Sequence, residues 1–202
     1  MGGAVNCADC GDKRCYGGRD CFGLAEESAA RCADPTVLAM TRVATRLEGR
    51  HYMQLCRLEE LARFCREMGY RRLGIAFCIG LADEARVLAG LLAKRFEVES
   101  VCCKVGGVEK ERFGLDKIKA ERVEAMCNPV GQALALNKAR TDLNIIVGLC
   151  IGHDITFTQH SAAPVTTFVV KDRLLAHNPA GALYSGYWRR RIERELEDDE
   201  RA

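Results

Sequence analysis

The sequence has no apolar run close to the roughly 20 residues that a membrane-spanning helix needs. Its first residues also lack the basic and apolar segments of a signal peptide. Neither charge dominates, because 30 basic and 28 acidic residues give a formal net charge of +2. An extended basic surface for nucleic acid is therefore not expected. We predict a cytoplasmic protein that binds neither a membrane nor nucleic acid.

Cysteine is the residue type that the sequence has in excess. The chain has 202 residues, of which 48% are hydrophobic, so it can form one domain of ordinary size with a small appended module. Twelve cysteines are present. A reducing cytoplasm argues against a disulfide framework. The cysteines therefore indicate metal binding or thiol chemistry.

Four of the cysteines fall close together near the start of the chain, among glycines and polar residues: Cys7, Cys10, Cys15 and Cys21. Such a segment cannot bury enough apolar surface to fold alone, and a bound metal would supply the missing free energy. We predict a cysteine-rich metal-binding module over residues 1–33. The alternative is a flexible tail with incidental cysteines.

Two kinds of metal centre suit this module about equally. Zinc sites of four thiolates usually have two paired knuckles, whereas only Cys7 and Cys10 form such a pair here. An iron–sulfur cluster tolerates the unequal gaps. A thioredoxin-like role for Cys7 and Cys10 is disfavoured, because no predicted strand precedes them. The predicted cofactor is a zinc ion or an iron–sulfur cluster.

Residues 34–202 alternate between helix and strand patterns. A helix is predicted after Asp34, with Pro35 at its first position, and a second lies within residues 55–68. Four strands follow, separated by helical patterns, at residues 73–78, 98–103, 144–149 and 165–170, and the second is polar, with Glu97 and Glu99. A last helix is predicted to start near His177-Asn178-Pro179, with the proline just inside it, and to run into residues 195–201. We predict an α/β domain with a mostly parallel, doubly wound, Rossmann-like sheet, in which the second strand lies at an edge.

Two of these strands end in the same way. Residues 73–80 read LGIAFCIG and residues 145–152 read IIVGLCIG, so each apolar run leads to Cys-Ile-Gly. Parallel strands end at one edge of the sheet, which brings Cys78 and Cys150 together. Helix dipoles and nearby cations lower the pKa of a thiol at such a place. Cys78 and Cys150 are the predicted catalytic thiols; the alternative is that they only pack between strand and helix.

Other polar residues beyond the strand ends are predicted to share this cleft. His153 and Asp154 follow Cys150 and are the predicted proton-transfer pair; the alternative for Asp154 is a helix N-cap. A second set is predicted to bind the cofactor or substrate: Cys103, Lys104, Cys127, Lys171, Arg173 and His177. The alternatives are a solvated charged turn at residues 171–173 and a packing role for His177.

Four further cysteines, Cys32, Cys56, Cys65 and Cys102, are given structural roles. Cys56 and Cys65 lie on or beside the apolar stripe of the second predicted helix, which favours small core residues. Cys102 and Cys103 point to opposite faces of one strand, so at most one of them reaches the shared cleft.

Several of these segments resemble one known family. The residues that carry the resemblance are Gly74-Ile-Ala-Phe-Cys78-Ile-Gly-Leu81, Cys103-Lys-Val-Gly106, Met126-Cys-Asn-Pro129, Thr141-Asp-Leu-Asn144, Gly148-Leu-Cys-Ile-Gly-His-Asp154, Lys171-Asp-Arg173 and His177-Asn-Pro179. They are similar to the cysteine-rich family called domain of unknown function 1847, described as predicted metal-binding proteins of archaea and anaerobic bacteria. The resemblance covers nearly the whole chain, including the four early cysteines. It implies metal binding and names no reaction.

Together these patterns predict a metal-binding protein with a thiol-lined cleft. The rival hypothesis is an iron–sulfur or thiol-dependent redox or sulfur-transfer enzyme that uses Cys78 and Cys150. A third hypothesis is a non-catalytic metal sensor or carrier. The expected partners are a metal ion and a small molecule or redox protein.

Overall fold

A computed structural model describes residues 5–199 of the chain. These residues separate into two compact units, one ending at Tyr52 and the other beginning at Met53. The predicted metal-binding module, residues 1–33, falls within the first unit and stays a prediction. Among residues 5–199, none of the helices combines the length and apolar character that a bilayer crossing requires.

The first unit contains two α-helices. α1 spans Ala25–Cys32 and α2 spans Pro35–His51, after a 3-10 turn at Arg14–Gly17. The start of α2 is as predicted: Asp34 Oδ1 accepts the backbone N–H groups of Thr36 (2.9 Å) and Val37 (3.2 Å), and Pro35 occupies the first helical position. No side chain from residue 5 to residue 37 is buried. The cysteine-rich segment therefore has no hydrophobic core of its own.

The second unit is an α/β domain. Its strands are β1 (Arg72–Phe77), β2 (Glu97–Cys102), β3 (Leu143–Val147) and β4 (Val165–Val169). Its helices are α3 (Arg57–Glu67), α4 (Ala82–Leu92), α5 (Pro129–Ala139), α6 (His153–His160), α7 (Ala180–Tyr184) and α8 (Gly186–Asp199). All four strands are parallel, in the order β2-β1-β3-β4. The predicted Rossmann-like sheet is confirmed.

The burial of each strand follows from its sequence. Every residue of β3 is buried, as expected for an apolar strand covered on both faces. β2 keeps Glu97, Glu99 and Ser100 exposed and lies at an edge, as predicted. From β1 the chain passes outward to β2 and then returns to β3 on the other side of β1. This reversal puts the topological switch point at the carboxyl ends of β1 and β3, where open α/β sheets bind ligands.

A glycine and a buried amide allow close packing in the middle of the sheet. Asn144 is fully buried; its Oδ1 accepts a hydrogen bond from Thr141 Oγ1 and its Nδ2 donates to Ser161 Oγ, both at 2.8 Å. A Cβ atom at Gly74 would collide with Asn144 Oδ1 and would lie 2.9 Å from Leu136 Cδ1. The short distance between β1, β3 and α5 therefore requires glycine at position 74.

Two structural predictions need correction. The final helix is split: Pro179 is the N-cap of α7, and α8 begins at Gly186 after an extended Ser185. Ala176 and His177 have positive φ angles of 48° and 62°, so the helix cannot begin there. Cys56 is the exposed N-cap of α3 and not a core residue, whereas Cys65 is fully buried as predicted.

Candidate thiol site

The carboxyl edge of the sheet gathers cysteines and cations. Cys78 directly follows β1, Cys103 directly follows β2, and Cys150 lies just beyond β3. Lys171 and Arg173 leave β4. Cys127 joins them from the segment before α5. We call this group the thiol edge, defined as Cys78, Cys103, Cys127, Cys150, Lys104, Lys171 and Arg173.

Backbone hydrogen bonds extend the sheet as far as the cysteines. The N–H of Cys78 donates to Val147 O (3.1 Å), and the N–H of Cys103 donates to Phe77 O (2.9 Å). The N–H of Asn128 donates to Cys103 O at 2.7 Å, which holds Cys127 beside Cys103. The thiols are therefore carried by ordered backbone and not by a free loop.

The turn that leads to Cys150 depends on Gly148. This residue has a φ of +65°, and its N–H donates to Val169 O at 2.8 Å. A Cβ atom at this position would lie 2.7 Å from Leu81 Cδ1. Only glycine combines this backbone conformation with such close packing.

Cys78 and Cys150, the predicted catalytic thiols, each contact a cation that follows β4. Lys171 Nζ lies 3.5 Å from Cys78 Sγ, and Arg173 Nη2 lies 3.1 Å from Cys150 Sγ. The hydrogen bond to Cys150 raises the pKa of Arg173, and the nearby Cys78 and Cys127 add to the effect. The turn at residues 171–173 therefore supplies side chains to the site.

Cys103 and Cys127 form the thiol pair that the sequence did not predict. The hydrogen bond between them lowers the pKa of Cys127 to about 5, helped by the positive charges of Lys104 and His153. The same hydrogen bond, together with burial, raises the pKa of Cys103. The Cys103 thiol therefore donates its proton toward a Cys127 thiolate. Cys103 is 3% exposed and accepts the N–H of Ile79 at 3.3 Å, whereas Cys127 is half-buried.

Lys104 is fixed next to this pair. Its Nζ donates to Ala125 O at 2.6 Å, and its positive charge helps to lower the pKa of Cys127. The hydrogen bond joins the two ends of the segment between β2 and α5 formed by residues 104–125, which we call the 104–125 insertion.

Gln132 bonds to the carboxyl ends of the strands that lead to Cys78 and Cys103. It is fully buried in α5. Its Nε2 donates to Phe77 O (3.1 Å) in the last residue of β1 and to Val101 O (2.7 Å) near the end of β2. Its Oε1 has no hydrogen-bond partner among residues 5–199. Sequence reasoning missed Gln132, whose only signal is a polar side chain on the buried face of a helix.

His177 and Asp172 order the loop that carries Arg173. Asp172 N–H donates to His177 Nδ1 at 3.1 Å, and His177 N–H donates to Asp172 O at 2.9 Å. Asp172 Oδ1 also accepts the N–H groups of Leu174 and Leu175. These contacts give His177 a positioning role; its predicted role in binding a cofactor stays a prediction.

His153 and Asp154 open α6 beside Cys150. The N–H of His153 donates to Cys150 O at 2.9 Å. The charge interaction with His153 also helps to lower the pKa of Cys127. The N-cap of α6 is Gly152, so the alternative that made Asp154 the N-cap is wrong. Asp154 Oδ1 accepts the N–H of Ile155 at 2.8 Å. Proton transfer by His153 and Asp154 stays a prediction.

The four early cysteines lie in the first unit. Cys10 N–H donates to Cys7 O at 3.3 Å, which closes a turn between these two residues. Cys7, Cys15 and Cys21 are exposed, and Cys10 is partly exposed. Throughout residues 5–199, no three His, Cys, Asp or Glu side chains are arranged to hold a metal ion. The metal centre at these four cysteines stays a prediction.

Comparison with known proteins gives a family but no activity. Residues 20–168 match the family described as protein of unknown function (DUF1847). The chain is 50% identical over 189 residues to the uncharacterized protein MJ0455 of Methanocaldococcus jannaschii, which covers 93% of this chain and 98% of that protein. No solved structure matches. The family match includes all four cysteines of the thiol edge.

Proposed function

We propose that this chain, which belongs to the DUF1847 family of proteins of unknown function, is a thiol-based redox protein in which Cys103 and Cys127 alternate between a dithiol and a disulfide. The observation that carries the proposal is the placement of Cys127 beside Cys103 at the carboxyl edge of the sheet, where Asn128 N–H donates to Cys103 O at 2.7 Å. The opposite shifts in the pKa values of the two thiols support moving the chemistry from the predicted Cys78 and Cys150 to this pair.

The two thiols of the pair differ in the way that a dithiol reaction requires. The thiolate is the attacking species in thiol–disulfide exchange, and it must be accessible. Cys127 is the more exposed of the two and has the lowered pKa. Cys103 is buried and keeps its proton, which suits the resolving thiol. We therefore assign Cys127 as the nucleophile and Cys103 as the resolving residue.

The reaction has two exchange steps with a disulfide as oxidant. The Cys127 thiolate attacks one sulfur of the disulfide, forms a mixed disulfide and releases the other sulfur as a thiolate. Cys103 then gives up its proton and attacks Cys127 Sγ, which forms the Cys103–Cys127 disulfide and releases the second product. One disulfide is reduced to a thiol and a thiolate, and two electrons leave the protein.

Single substitutions are expected to separate the two steps. After treatment with hydroxyethyl disulfide and blocking of the remaining thiols, mass spectrometry should find a Cys103–Cys127 disulfide in the unmodified sequence. Cys103→Ser should accumulate a mixed disulfide on Cys127, because the resolving thiol is absent. Cys127→Ser should form neither product at this pair.

The matched control is Cys32→Ser, which removes an exposed thiol of α1 and should leave the Cys103–Cys127 disulfide unchanged. A Cys103→Ser protein with no adduct on Cys127 would contradict the assignment of the nucleophile. A disulfide formed by other cysteines in place of this pair would contradict the proposed function.

Metal binding by the early cysteines is the second candidate function. Two observations favour it: residues 5–37 bury no side chain, and a backbone turn joins Cys7 to Cys10. Cys7, Cys10, Cys15 and Cys21 would supply four thiolates, a donor set that suits zinc or an iron–sulfur cluster. The metal would supply folding free energy to a segment without a core.

Anaerobic purification should therefore yield bound zinc, or iron with labile sulfide and visible absorption. Cys10→Ser should lose most of that metal, whereas Cys32→Ser, in the same unit, should keep it. Stoichiometric metal retained after Cys7→Ser and Cys10→Ser would contradict this site. The predicted cytoplasmic location fits both candidates, because a reducing compartment would return the disulfide to the dithiol.

A further inference from the structure

We infer that the disulfide accepted by the thiol edge carries a negatively charged group such as a carboxylate, and that Lys171 and Arg173 bind this group. The inference rests on the proposed redox function and adds the chemical class of the substrate. It is carried by two cations that face the cleft without a carboxylate partner.

Several cations of this domain are paired with carboxylates. Arg72 contacts Glu97 at 2.6 Å, Lys110 contacts Glu124 at 2.8 Å, and Lys117 contacts Glu111 at 2.6 Å. Lys171 and Arg173 differ, because the hydrogen-bond partners described for them are the sulfurs of Cys78 and Cys150. Within residues 5–199, neither cation forms an ion pair with a carboxylate.

The nearest acidic residues along the chain bond to backbone groups and form no ion pair with these cations. Asp172 lies between them, but its Oδ1 accepts the backbone N–H groups of Leu174 and Leu175. Asp154 Oδ1 accepts the N–H of Ile155. Lys104 adds a third positive charge next to Cys127. The Lys171 ammonium and the Arg173 guanidinium therefore keep hydrogen-bonding capacity that a carboxylate of a ligand would use.

The cations are accessible to a ligand, because Lys171 is partly exposed and Arg173 is exposed. A Cβ atom at Gly80 would lie 3.4 Å from Lys171 Nζ and 4.0 Å from Cys78 Sγ, so the absence of a side chain there leaves the ammonium group open. The guanidinium of Arg173 binds carboxylates in a bidentate geometry. Both groups lie at the topological switch point of the sheet.

Exposed apolar side chains directly follow Cys78 and Cys150. Ile79 follows Cys78 and is 54% exposed, and Ile151 follows Cys150 and is 87% exposed. These residues come from the two Cys-Ile-Gly units and provide contact for the carbon atoms of a ligand. A small organic disulfide with a carboxylate matches both the charge and these apolar side chains.

The competing explanation is that Lys171 and Arg173 act only on the sulfurs of Cys78 and Cys150. Two disulfide reagents separate the explanations: the dianionic dithiobis(nitrobenzoate) and the neutral dithiodipyridine. The measurement is the stopped-flow rate constant of Cys127 with each reagent, taken as the reaction component that Cys127→Ser removes. We compare the ratio of the rate constant with the anionic reagent to that with the neutral reagent. A substitution that changes the intrinsic reactivity of Cys127 alters both rate constants alike and leaves this ratio unchanged.

We expect Arg173→Gln to lower this ratio about tenfold, and Lys171→Gln to lower it by a similar factor, because each removes one attractive charge. Added salt should lower the ratio as well. Lys94→Gln, which removes an exposed positive charge beyond the end of α4, is the matched control and should leave the ratio unchanged.

A ratio that stays the same in Arg173→Gln and Lys171→Gln would overturn this inference and leave the redox proposal standing. Failure of both reagents to produce the Cys103–Cys127 disulfide in the unmodified sequence would overturn the redox proposal itself.

Discussion

At about pH 6, iodoacetamide is expected to alkylate Cys127 about tenfold faster than an ordinary exposed thiol, because the pKa of Cys127 is lowered to about 5. A thiol with this pKa is about 300-fold more ionised at that pH than one with a pKa of about 8.5. The weaker basicity of its thiolate lowers the intrinsic reactivity by about 40-fold for a Brønsted coefficient of about 0.45. Dividing the gain in ionisation by the loss in intrinsic reactivity leaves a net rate increase of about tenfold.

The pH profile gives the more decisive measurement. The rate of Cys127 alkylation, followed by peptide mass spectrometry, should level off above an inflection near the lowered pKa of about 5. Cys103→Ala should move the inflection to higher pH, since the hydrogen bond from Cys103 is the main cause of the lowered pKa. Lys104→Gln should move it in the same direction by a smaller amount. Cys32→Ser is the control that should not move it.

A single inflection near pH 8 to 9, unchanged by Cys103→Ala, would show that Cys127 is an ordinary thiol. The assignment of Cys127 as the nucleophile would then be wrong. Cys65 gives an internal comparison, because burial raises its pKa to about 12 and it should remain unmodified in the folded protein.

The sequence predicted the edge of the sheet on which the thiols lie. Two apolar runs, each leading to Cys-Ile-Gly, identify buried parallel strands, and parallel strands must end on one side. The periodic patterns also indicated the crossover helices between them. These features depend on local sequence, so the convergence of Cys78, Cys103 and Cys150 could be inferred without coordinates.

The pairing of thiols within that edge could not be inferred in the same way. Cys127 reaches Cys103 through the 104–125 insertion, which contains little regular structure. Its path is held by specific contacts, among them Lys104 Nζ to Ala125 O and Met126 N–H to Val108 O. No periodicity in the sequence predicts contacts of this kind. The identical contexts of Cys78 and Cys150 favoured those two thiols, whose catalytic role stays a prediction.

The cations that follow β4 present a related difficulty. A charged turn after a strand is usually solvated, and residue type alone does not reveal whether it faces a cleft. The direction of Lys171 and Arg173 is set by a turn that two hydrogen bonds close, from Asp172 N–H to His177 Nδ1 and from His177 N–H to Asp172 O. Arg173 therefore reaches Cys150 because of a loop conformation that includes two residues with positive φ angles, Ala176 and His177.

Replacing Gly74 with alanine is expected to destabilise the protein by about 3 kcal/mol. The new methyl group would meet Asn144 Oδ1 and Leu136, which are both fully buried. Relief requires either a shift of α5 or the loss of the hydrogen bond from Thr141 to Asn144. Urea unfolding followed by circular dichroism should show a lower midpoint with an unchanged slope.

Gly90→Ala is the matched control, because it makes the same change within α4 at a position where no atom lies within 4 Å of the new Cβ. Alanine is the better helix former, so this variant should gain about 0.5 to 1 kcal/mol. A Gly74→Ala protein as stable as the unmodified one would mean that α5 is not held tightly against the sheet.

The Gly74 variant also tests how the core positions the thiols. Cys127 lies two residues before α5 begins at Pro129, and Gln132 of α5 contacts the carbonyl groups of Phe77 and Val101. A shift of α5 away from Gly74 should therefore separate Cys127 from Cys103. The alkylation inflection of Cys127 should then move to higher pH in Gly74→Ala and stay in place in Gly90→Ala. An unchanged inflection in a destabilised Gly74→Ala protein would show that the thiol pair is held by the 104–125 insertion and not by α5.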